Sequence, residues 1–201
     1  MDILDAYLEV IARDGWPATR IDAVAAHAGV TTADVAAAYA DRWEALRAWN
    51  LRLDRAALAE AATDPGASVR DRLFTLFMER FDAAQPQRAA ASELVRAARR
   101  DPGLAAFGAM TLPRSVARLA DACGVATGGI LGPLRVQLLT ALVLTVARVW
   151  LADDSADLSA TMKELDTRLA QAETWARRLP YRPATMPPLA APRSADGLPG
   201  E

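Results

Sequence analysis

Apolar residues recur at spacings of three and four along most of the sequence, and this period limits the fold more than any other feature. No stretch alternates between apolar and polar residues, as a half-buried strand would. Alanine and leucine dominate, and the glycines lie mostly at breaks in the pattern. The sequence therefore predicts an all-α protein, and 201 residues suffice for one small helical module and one larger bundle.

The first quarter of the sequence has the organisation of a helix-turn-helix unit. Three short helices are predicted there, at residues 2–13, 20–28 and 31–39. Thr19 and Thr31 each stand three residues before an aspartate, which is the spacing of a capping box, so we expect both to cap the following helix. Between the second and third helices, Gly29 permits a tight turn and Val30 is expected to pack beneath the helix pair.

Longer helices follow and make up most of the chain. A fourth helix opens at Asp41 and runs to about residue 62, before a breaker segment at residues 63–67. Beyond this break the period predicts helices at residues 69–84, 87–100, 103–111, 114–123, 133–151 and 156–179. The final segment has six prolines and no helical period, which predicts a disordered tail. The chain thus divides into a helix-turn-helix unit, a helical body and a tail, at residues 1–48, 49–179 and 180–201.

Reactive side chains are too scarce for the common catalytic arrangements. His27 is the only histidine and Cys123 the only cysteine, so a Ser–His–Asp triad, a thiol–imidazole pair and a zinc quartet are not indicated. The sequence has no phosphate-binding glycine loop either. We interpret His27 as a surface residue and Cys123 as a small core residue, and we expect no enzyme, no cofactor and no metal.

Cysteine content and hydropathy indicate where such a chain would reside. A single cysteine excludes an internal disulfide and is typical of the reducing cytoplasm. The N-terminus opens into a charged amphipathic helix, so no signal peptide is expected. The most apolar run, residues 134–151, contains Arg135 and Arg148, and the uncharged stretch between them is too short to cross a bilayer. We therefore expect a buried helix there and no stable membrane insertion.

Two segments of the N-terminal unit carry a family resemblance. Residues 11–30 contain, in order, Gly15, an aromatic residue, Thr19 and a final Ala-Gly-Val, and residues 39–46 contain an aromatic residue, Arg42 and a leucine. This order resembles the N-terminal part of the TetR family of repressors. The resemblance implies a TetR-type all-α fold, with a three-helix helix-turn-helix unit and a C-terminal bundle. It also implies a transcriptional regulator that binds operator DNA as a dimer and senses a small ligand.

The resemblance places the DNA-binding surface on the third helix and its flanks. The candidate residues there are Arg20, Thr31, Thr32, Ala33, Ala37, Tyr39 and Arg42. The sequence departs from the family at residues 33–36, where Ala-Asp-Val-Ala replaces Gly-Thr-Leu-Tyr and puts an alanine at the position of the phosphate-contacting tyrosine. Residues 1–50 hold four arginines and eight carboxylates, hence a net charge of −4, which opposes phosphate binding. A helical triplet kept only as scaffold is the alternative.

The body is expected to supply the dimer interface and the ligand site. In the TetR fold the last two helices pair with their symmetry mates, which here assigns helices 133–151 and 156–179 to a homodimer. The alternative is that they pack only inside the monomer. Aromatic and thioether residues cluster between them and the N-terminal unit, and the resemblance implies a ligand chamber among these residues. The candidates are Phe74, Phe77, Met78, Phe107, Met110 and Leu138. Few charged residues fall on the inward faces, so we expect an apolar ligand, with ordinary core packing as the alternative.

A second resemblance covers residues 149–169. Their Trp-Leu, Asp-Asp-Ser, Thr, Leu-Asp and Arg elements resemble the C-terminal signature of the ubiquinone-biosynthesis accessory protein Coq nine family. That family has a TetR fold and binds lipid, so the resemblance implies, as an alternative function, a lipid- or quinone-binding accessory protein that no longer binds DNA. The family's C-terminal membrane-binding helix has no counterpart in the proline-rich tail. Asp153, Asp154 and Asp157 lie at the N-terminus of a predicted helix, and capping of its free amides explains them without catalysis.

Overall fold

The computed structural model describes residues 1–60 and 66–178, and the predicted tail from residue 180 lies outside them. Within these ranges the chain is helical, with no β-strand. Its helices are α1 (Ile3–Asp14), α2 (Ile21–Ala28), α3 (Thr32–Ala38), α4 (Arg42–Glu60), α5 (Val69–Ala84), α6 (Arg88–Ala98), α7 (Pro102–Ala122), α8 (Gly132–Ala152) and α9 (Ser159–Arg178). The all-α prediction is therefore confirmed.

Helix α1 joins the N-terminal unit to the body. It packs on α2 and α4 on one side and on α6 on the other. Its buried face contains Tyr7, Leu8, Val10 and Ile11, all almost completely shielded from solvent. Full burial of such a side chain contributes roughly 1.5–3 kcal/mol. Because one apolar face serves both regions, the core runs without a break from the helix-turn-helix unit into the body.

The turn between α2 and α3 has the predicted helix-turn-helix geometry. Gly29 ends α2 in the left-handed conformation, with φ of 72°. Thr31 and Asp34 form the predicted capping box, in which Thr31 Oγ1 accepts from the Asp34 N–H and Asp34 accepts from the Thr31 N–H. The prediction for Val30 is wrong, since its side chain is 37% exposed. Val35 of α3 is instead the buried valine that fills the space between the helices.

The capping prediction for Thr19 is also wrong. A 3₁₀ turn over Trp16–Ala18 precedes α2 and ends at Thr19, so α2 begins one residue later than a Thr19 cap requires. The buried Thr19 hydroxyl donates to the Gly15 carbonyl oxygen, 3.0 Å away, and closes this turn instead. Arg20 is the N-cap residue of α2 and provides no side-chain cap.

Residues 103–123, predicted as two helices, form the single helix α7. Pro113 lies inside it and removes one backbone donor. The helix nevertheless continues because apolar residues on both sides of the proline are buried in the same core, Leu104 and Phe107 before it and Val116 and Leu119 after it. Tertiary packing thus outweighs the local signal for a break.

Helix α8 is longer and less buried than the sequence suggested. It spans 21 residues and is, by length and composition alone, apolar enough to cross a membrane. Only 28% of its most apolar window is buried. One face packs on α7 and α9 and the opposite face has no partner within the described residues. The prediction of a buried helix therefore holds for one face only.

Helix α9 begins at Ser159, later than the predicted residue 156. The Asp153 carboxylate accepts hydrogen bonds from the N–H and hydroxyl of Ser155 and from the N–H and hydroxyl of Thr161. These bonds hold the turn in which buried Leu158 adopts a positive φ of 52°. They also lower the pKa of Asp153 well below its usual range. Asp157 accepts from the Ser159 N–H, which confirms its capping role, whereas exposed Asp154 pairs with Arg88.

Candidate functional site

The outer face of α3 carries small side chains, and the one carboxylate of this helix, Asp34, is engaged in the capping box. Thr32, Ala33 and Ala37 are all exposed, as a surface that enters a DNA groove requires. Thr31 is exposed too, but its hydroxyl is engaged in the capping box. The face therefore offers one uncommitted hydroxyl, that of Thr32, and a methyl surface. Methyl groups can contact the thymine methyl in the major groove, and a hydroxyl can bond to several base edges.

An open groove of about 500 Å³ lies beside this face. Its lining residues are Tyr7, Pro17, Thr19, Arg20, Ile21, Ala40, Asp41 and Arg42. The N-terminus of α2 borders it, and no side chain caps that terminus. Its amide N–H groups can therefore donate hydrogen bonds to an anionic oxygen. Arg20 is the exposed cation of this groove, and its Nε lies 3.2 Å from the Asp22 carboxylate on the same helix.

Arg42, predicted to contact DNA, is held inside the protein fold. Its Nη1 donates to the Trp16 carbonyl oxygen at 3.0 Å, and its guanidinium lies 4.0 Å from the centre of the Trp16 ring. The side chain is half-buried, and the Trp43 ring lies on a second side at 5.6 Å. Arg42 thus fastens α4 to the turn that precedes α2. Only the part of its guanidinium not engaged in these contacts is available to a phosphate.

Tyr39, also predicted to contact DNA, packs mainly against the inside of the N-terminal unit. Its ring meets that of Tyr7 edge-on, with 6.0 Å between centroids. Burial raises the pKa of the Tyr39 hydroxyl, which therefore stays protonated at neutral pH. Tyr39 ends α3, and the charges of Asp2 and Arg52 lie near its hydroxyl.

A junction that the sequence did not reveal fixes the N-terminal unit to the body. The Trp16 indole N–H donates to Asp101 Oδ2 at 2.9 Å. Asp101 also caps α7 by accepting from the Leu104 N–H, and both bonds lower the pKa of its carboxyl. Trp43 contacts the rings of both Trp16 and Phe107, at centroid distances of 4.8 and 5.2 Å. The elements involved lie up to 85 residues apart in the sequence, so no local pattern could signal this contact.

The six predicted ligand residues are not brought together. Phe77 and Met78 are buried in the core, and Phe107 belongs to the junction with Trp43. Met110 and Leu138 face solvent, with 56% and 59% of each residue exposed. Phe74 is half-buried and lines an open groove of about 390 Å³ between α5 and α9, together with Arg70, Asp71, Thr75, Met162, Lys163 and Asp166.

A buried ionic network contradicts the expectation that few charged residues face inward. Asp54 of α4 is fully buried and accepts hydrogen bonds from Arg80, Ser115 and Arg118. Arg80 also donates to Asn50 Oδ1 at 3.0 Å. This network ties α4, α5 and α7 together in the middle of the body. A buried carboxylate is tolerated because its oxygens are matched by cationic and hydroxyl donors.

Comparison with known proteins defines the fold. No family model matches the chain, and no curated protein matches it. A solved TetR transcriptional regulator from Nitrosomonas europaea ATCC 19718 matches with a TM-score of 0.71 and 24% identity, over 86% of this chain and 96% of that one. The chain has the TetR-type fold.

A second solved structure agrees. A TetR-like transcriptional regulator from Rhodococcus sp. RHA1 matches with a TM-score of 0.55 and 22% identity, over 86% of this chain and 93% of that one. At these identities the likeness establishes the arrangement of helices, and it includes both the helix-turn-helix unit and the body. Both matched proteins are described as transcriptional regulators.

Proposed function

We propose that the protein is a TetR-like transcriptional regulator that binds operator DNA as a dimer and senses a small apolar ligand. The observation that carries the proposal is the helix-turn-helix unit with its exposed α3 face, set in a chain of which 86% matches the fold of such a regulator. In a dimer the two α3 helices would enter successive major grooves about 34–36 Å apart.

DNA contact in this proposal relies on amides and hydroxyls more than on cations. Thr32 and the methyl groups of Ala33 and Ala37 face the bases, while the N-terminus of α2 and Arg20 face a phosphate. Arg42 is largely committed to Trp16. Since the salt dependence of binding scales with the number of phosphates neutralised, we expect a shallow slope for each subunit.

The dimer interface is proposed to centre on the unpartnered face of α8. Leu134, Leu138 and Ala141 are exposed there at spacings of four and three residues, and Leu144 is exposed at the edge of the same face. The exposed face of α9 is polar by comparison, with Lys163, Asp166 and Gln171. An apolar row of this kind is typical of a helix that packs on a symmetry mate. Helix α9 would then contribute to the edge of the interface.

The ligand is proposed to be small and apolar. The groove between α5 and α9 supports this because Phe74 and Met162 supply apolar surface and its volume falls within the usual range for a small-molecule site. Arg70 and Asp166 pair with each other across the groove at 2.6 Å, so their charges largely cancel. The buried positions of Phe77 and Met78 favour a role in supporting this wall of the body.

Fluorescence anisotropy with labelled DNA tests the regulator proposal. The DNA would be the segment upstream of the protein's own gene, followed by sequences selected from genomic fragments. We expect saturable binding by the dimer. Thr32→Val should change the sequence preference, and Arg20→Ala should weaken binding to all sequences alike. Arg99→Ala, at an exposed position of the body, is the control and should leave binding unchanged. A folded dimer that binds none of these DNAs at low salt would contradict the proposal.

The alternative of a ubiquinone-pathway accessory protein stays a prediction. The residues that carry it include Asp153 and Thr161, and in the structure these two shape the turn before α9. A local structural role therefore accounts for them without a lipid. Organic extraction of the purified protein followed by mass spectrometry would favour the alternative if a stoichiometric quinone or lipid were recovered.

A further inference from the structure

The arginines of the body form a surface that the regulator function does not use. Helices α4 and α7 run side by side in the same direction, since Trp43 contacts Phe107 near their beginnings and Asp54 contacts Arg118 further along both. On its outward side each helix carries a row of three exposed residues at i, i+4 and i+8. The rows, which we call the arginine surface, are Arg47, Leu51 and Arg55 on α4 and Met110, Arg114 and Arg118 on α7.

The positive charge of the arginine surface is mostly unpaired. Arg55 and Arg114 are exposed, and within residues 1–60 and 66–178 neither has a hydrogen bond or an ion pair. Arg47 is exposed and its guanidinium lies 5.6 Å from the centre of the Phe107 ring. Arg118 is fixed by the buried Asp54 and leaves about half of its side chain in solvent.

The carboxylates near the arginine surface lie at its two ends or beneath it, not within it. Glu44 borders one end and accepts from the Ala40 N–H at 2.7 Å. Asp121 borders the other end and accepts from the Thr127 hydroxyl. Asp54 is saturated by its own donors beneath the surface. The middle of the surface therefore has a positive potential, in contrast to residues 1–46, which hold three arginines and eight carboxylates.

A second copy of the chain is a poor occupant for this surface. A twofold interface brings the same patch of two subunits together, so the arginines would face one another. Like charges in a desolvated interface cost several kcal/mol. The apolar face of α8 provides a better surface for the symmetry mate.

The apolar residues among the arginines identify the kind of partner. Leu51 and Met110 are exposed, at 40% and 56%, in the middle of the two rows. A partner that covers them must supply apolar groups as well as carboxylates. Nucleic acid fits less well, because single strands bind on exposed aromatic rings and the aromatic side chain here, Phe107, is buried.

We propose that the arginine surface binds an acidic amphipathic helix of a partner protein. Each row spans about 12 Å at 1.5 Å per residue. A helix lying between α4 and α7 presents carboxylates at the same i, i+4 and i+8 spacing, with an apolar residue between them. Arginine suits this role because its planar guanidinium binds a carboxylate through two parallel hydrogen bonds. This interaction goes beyond the proposed DNA binding and does not depend on it.

A labelled peptide tests the proposal on the full-length protein. The probe is an alanine-based helical peptide with glutamates at i, i+4 and i+8 and leucines between them, followed by fluorescence anisotropy. We expect saturable binding that weakens as salt rises and vanishes when the glutamates are replaced by glutamine. The double variant Arg55→Glu with Arg114→Glu should weaken binding at least about tenfold, since two attractive charge pairs become repulsive.

A matched control isolates the surface from total charge. The double variant Arg99→Glu with Arg100→Glu changes the total charge by the same amount at two exposed positions of the body. Its affinity for the peptide should stay within about twofold of that of the unmodified protein. Circular dichroism and light scattering confirm that each variant is a folded oligomer of unchanged mass. The proposal is overturned if the glutamate peptide does not bind, or if both double variants lose binding equally. It is also overturned if phosphatidylglycerol vesicles or single-stranded DNA bind through Arg55 and Arg114 more tightly than the peptide.

Discussion

The helix-turn-helix unit and the arginine surface use their charged residues in opposite ways. In the N-terminal unit, Arg42 stacks on Trp16, Arg20 pairs with Asp22 and Arg13 pairs with Asp14. In the arginine surface, Arg55 and Arg114 have no such partner within the described residues. A cation at a family's binding position is therefore not evidence of an available cation. Its neighbours decide whether the guanidinium faces solvent or stabilises the fold.

The two regions are also coupled through one aromatic junction. Trp16 belongs to the N-terminal unit, and its indole bonds to the residue that caps α7, the helix that carries half of the arginine surface. A change at Trp16 should therefore affect the stability of both regions.

Truncation of Trp16 should cause the largest loss of stability. Trp16→Ala removes a side chain that is 1% exposed, its hydrogen bond to Asp101 and its contacts with Trp43 and Arg42. Large-to-small changes of this kind cost about 3–5 kcal/mol. Urea unfolding followed by circular dichroism measures the effect, and Trp16→Phe, which keeps most of the packing, should lose much less. A loss below about 1 kcal/mol for Trp16→Ala would show that the two regions are not coupled here.

Neutralisation of Asp54 should cause the second-largest loss of stability. Asp54→Asn leaves Arg80 half-buried without its counter-charge, and removal of one partner of a buried pair costs about 3–5 kcal/mol, less where the other partner is partly solvated. We therefore expect a loss of about 3 kcal/mol in urea unfolding. Asp166→Asn breaks an exposed ion pair with Arg70 and is the control, with an expected loss under about 1 kcal/mol. Equal effects in the two variants would contradict the importance of the buried network.

A charge on the outer face of α8 should separate the subunits without unfolding them. Leu138→Glu places a carboxylate in the proposed interface, where an unpaired charge is costly, so the dimer dissociation constant should rise at least about tenfold. Light scattering coupled to gel filtration measures the mass against 21.5 kDa for one chain. Lys163→Glu on the polar face of α9 is the control. A dimer of unchanged stability in Leu138→Glu would place the interface elsewhere.

Acid stability should report on Asp153. Hydrogen bonds from Ser155 and Thr161 lower its pKa in the folded state below the ordinary value of 3.8. The carboxylate therefore contributes fully to stability above about pH 4, and the contribution is lost as pH falls through the lower folded-state pKa. The difference in melting temperature between the unmodified protein and Asp153→Asn should accordingly be constant from pH 7 to about pH 5 and shrink below pH 4. A constant difference for Asp153→Asn down to the lowest pH would contradict the assignment.

Local signals in the sequence predicted most of the fold. Apolar spacing placed α5 at its observed limits, and the Thr31–Asp34 spacing gave the cap of α3, because both depend on residues that are close in the chain. The same reasoning misplaced the cap at Thr19, where a 3₁₀ turn competes for the hydroxyl. It also split α7 at Pro113, where long-range packing preserves the helix.

The candidate site was predicted less well because availability is a three-dimensional property. The exposed positions on α3 follow from helical spacing, but the engagement of Arg42 by Trp16 joins residues 26 apart, and the contact of Asp54 with Arg118 joins residues 64 apart. Neither contact leaves a local pattern. Exposure of Met110 and Leu138 likewise depends on which faces of α7 and α8 find partners, and composition does not specify this.

Binding of DNA and of the acidic peptide to the same set of variants tests the central claim most directly, namely that two regions with opposite charge serve two different partners. Anisotropy titrations on both probes would use the single variants Arg20→Ala and Thr32→Val and the double variant Arg55→Glu with Arg114→Glu. The account predicts that Arg20→Ala and Thr32→Val change DNA binding and leave peptide binding unaffected. It predicts that the double variant weakens peptide binding at least about tenfold and leaves DNA binding within about twofold. Loss of both ligands in the Arg55 and Arg114 variant, with the Arg20 and Thr32 variants unaffected on DNA, would contradict it by placing the nucleic-acid contact on the body.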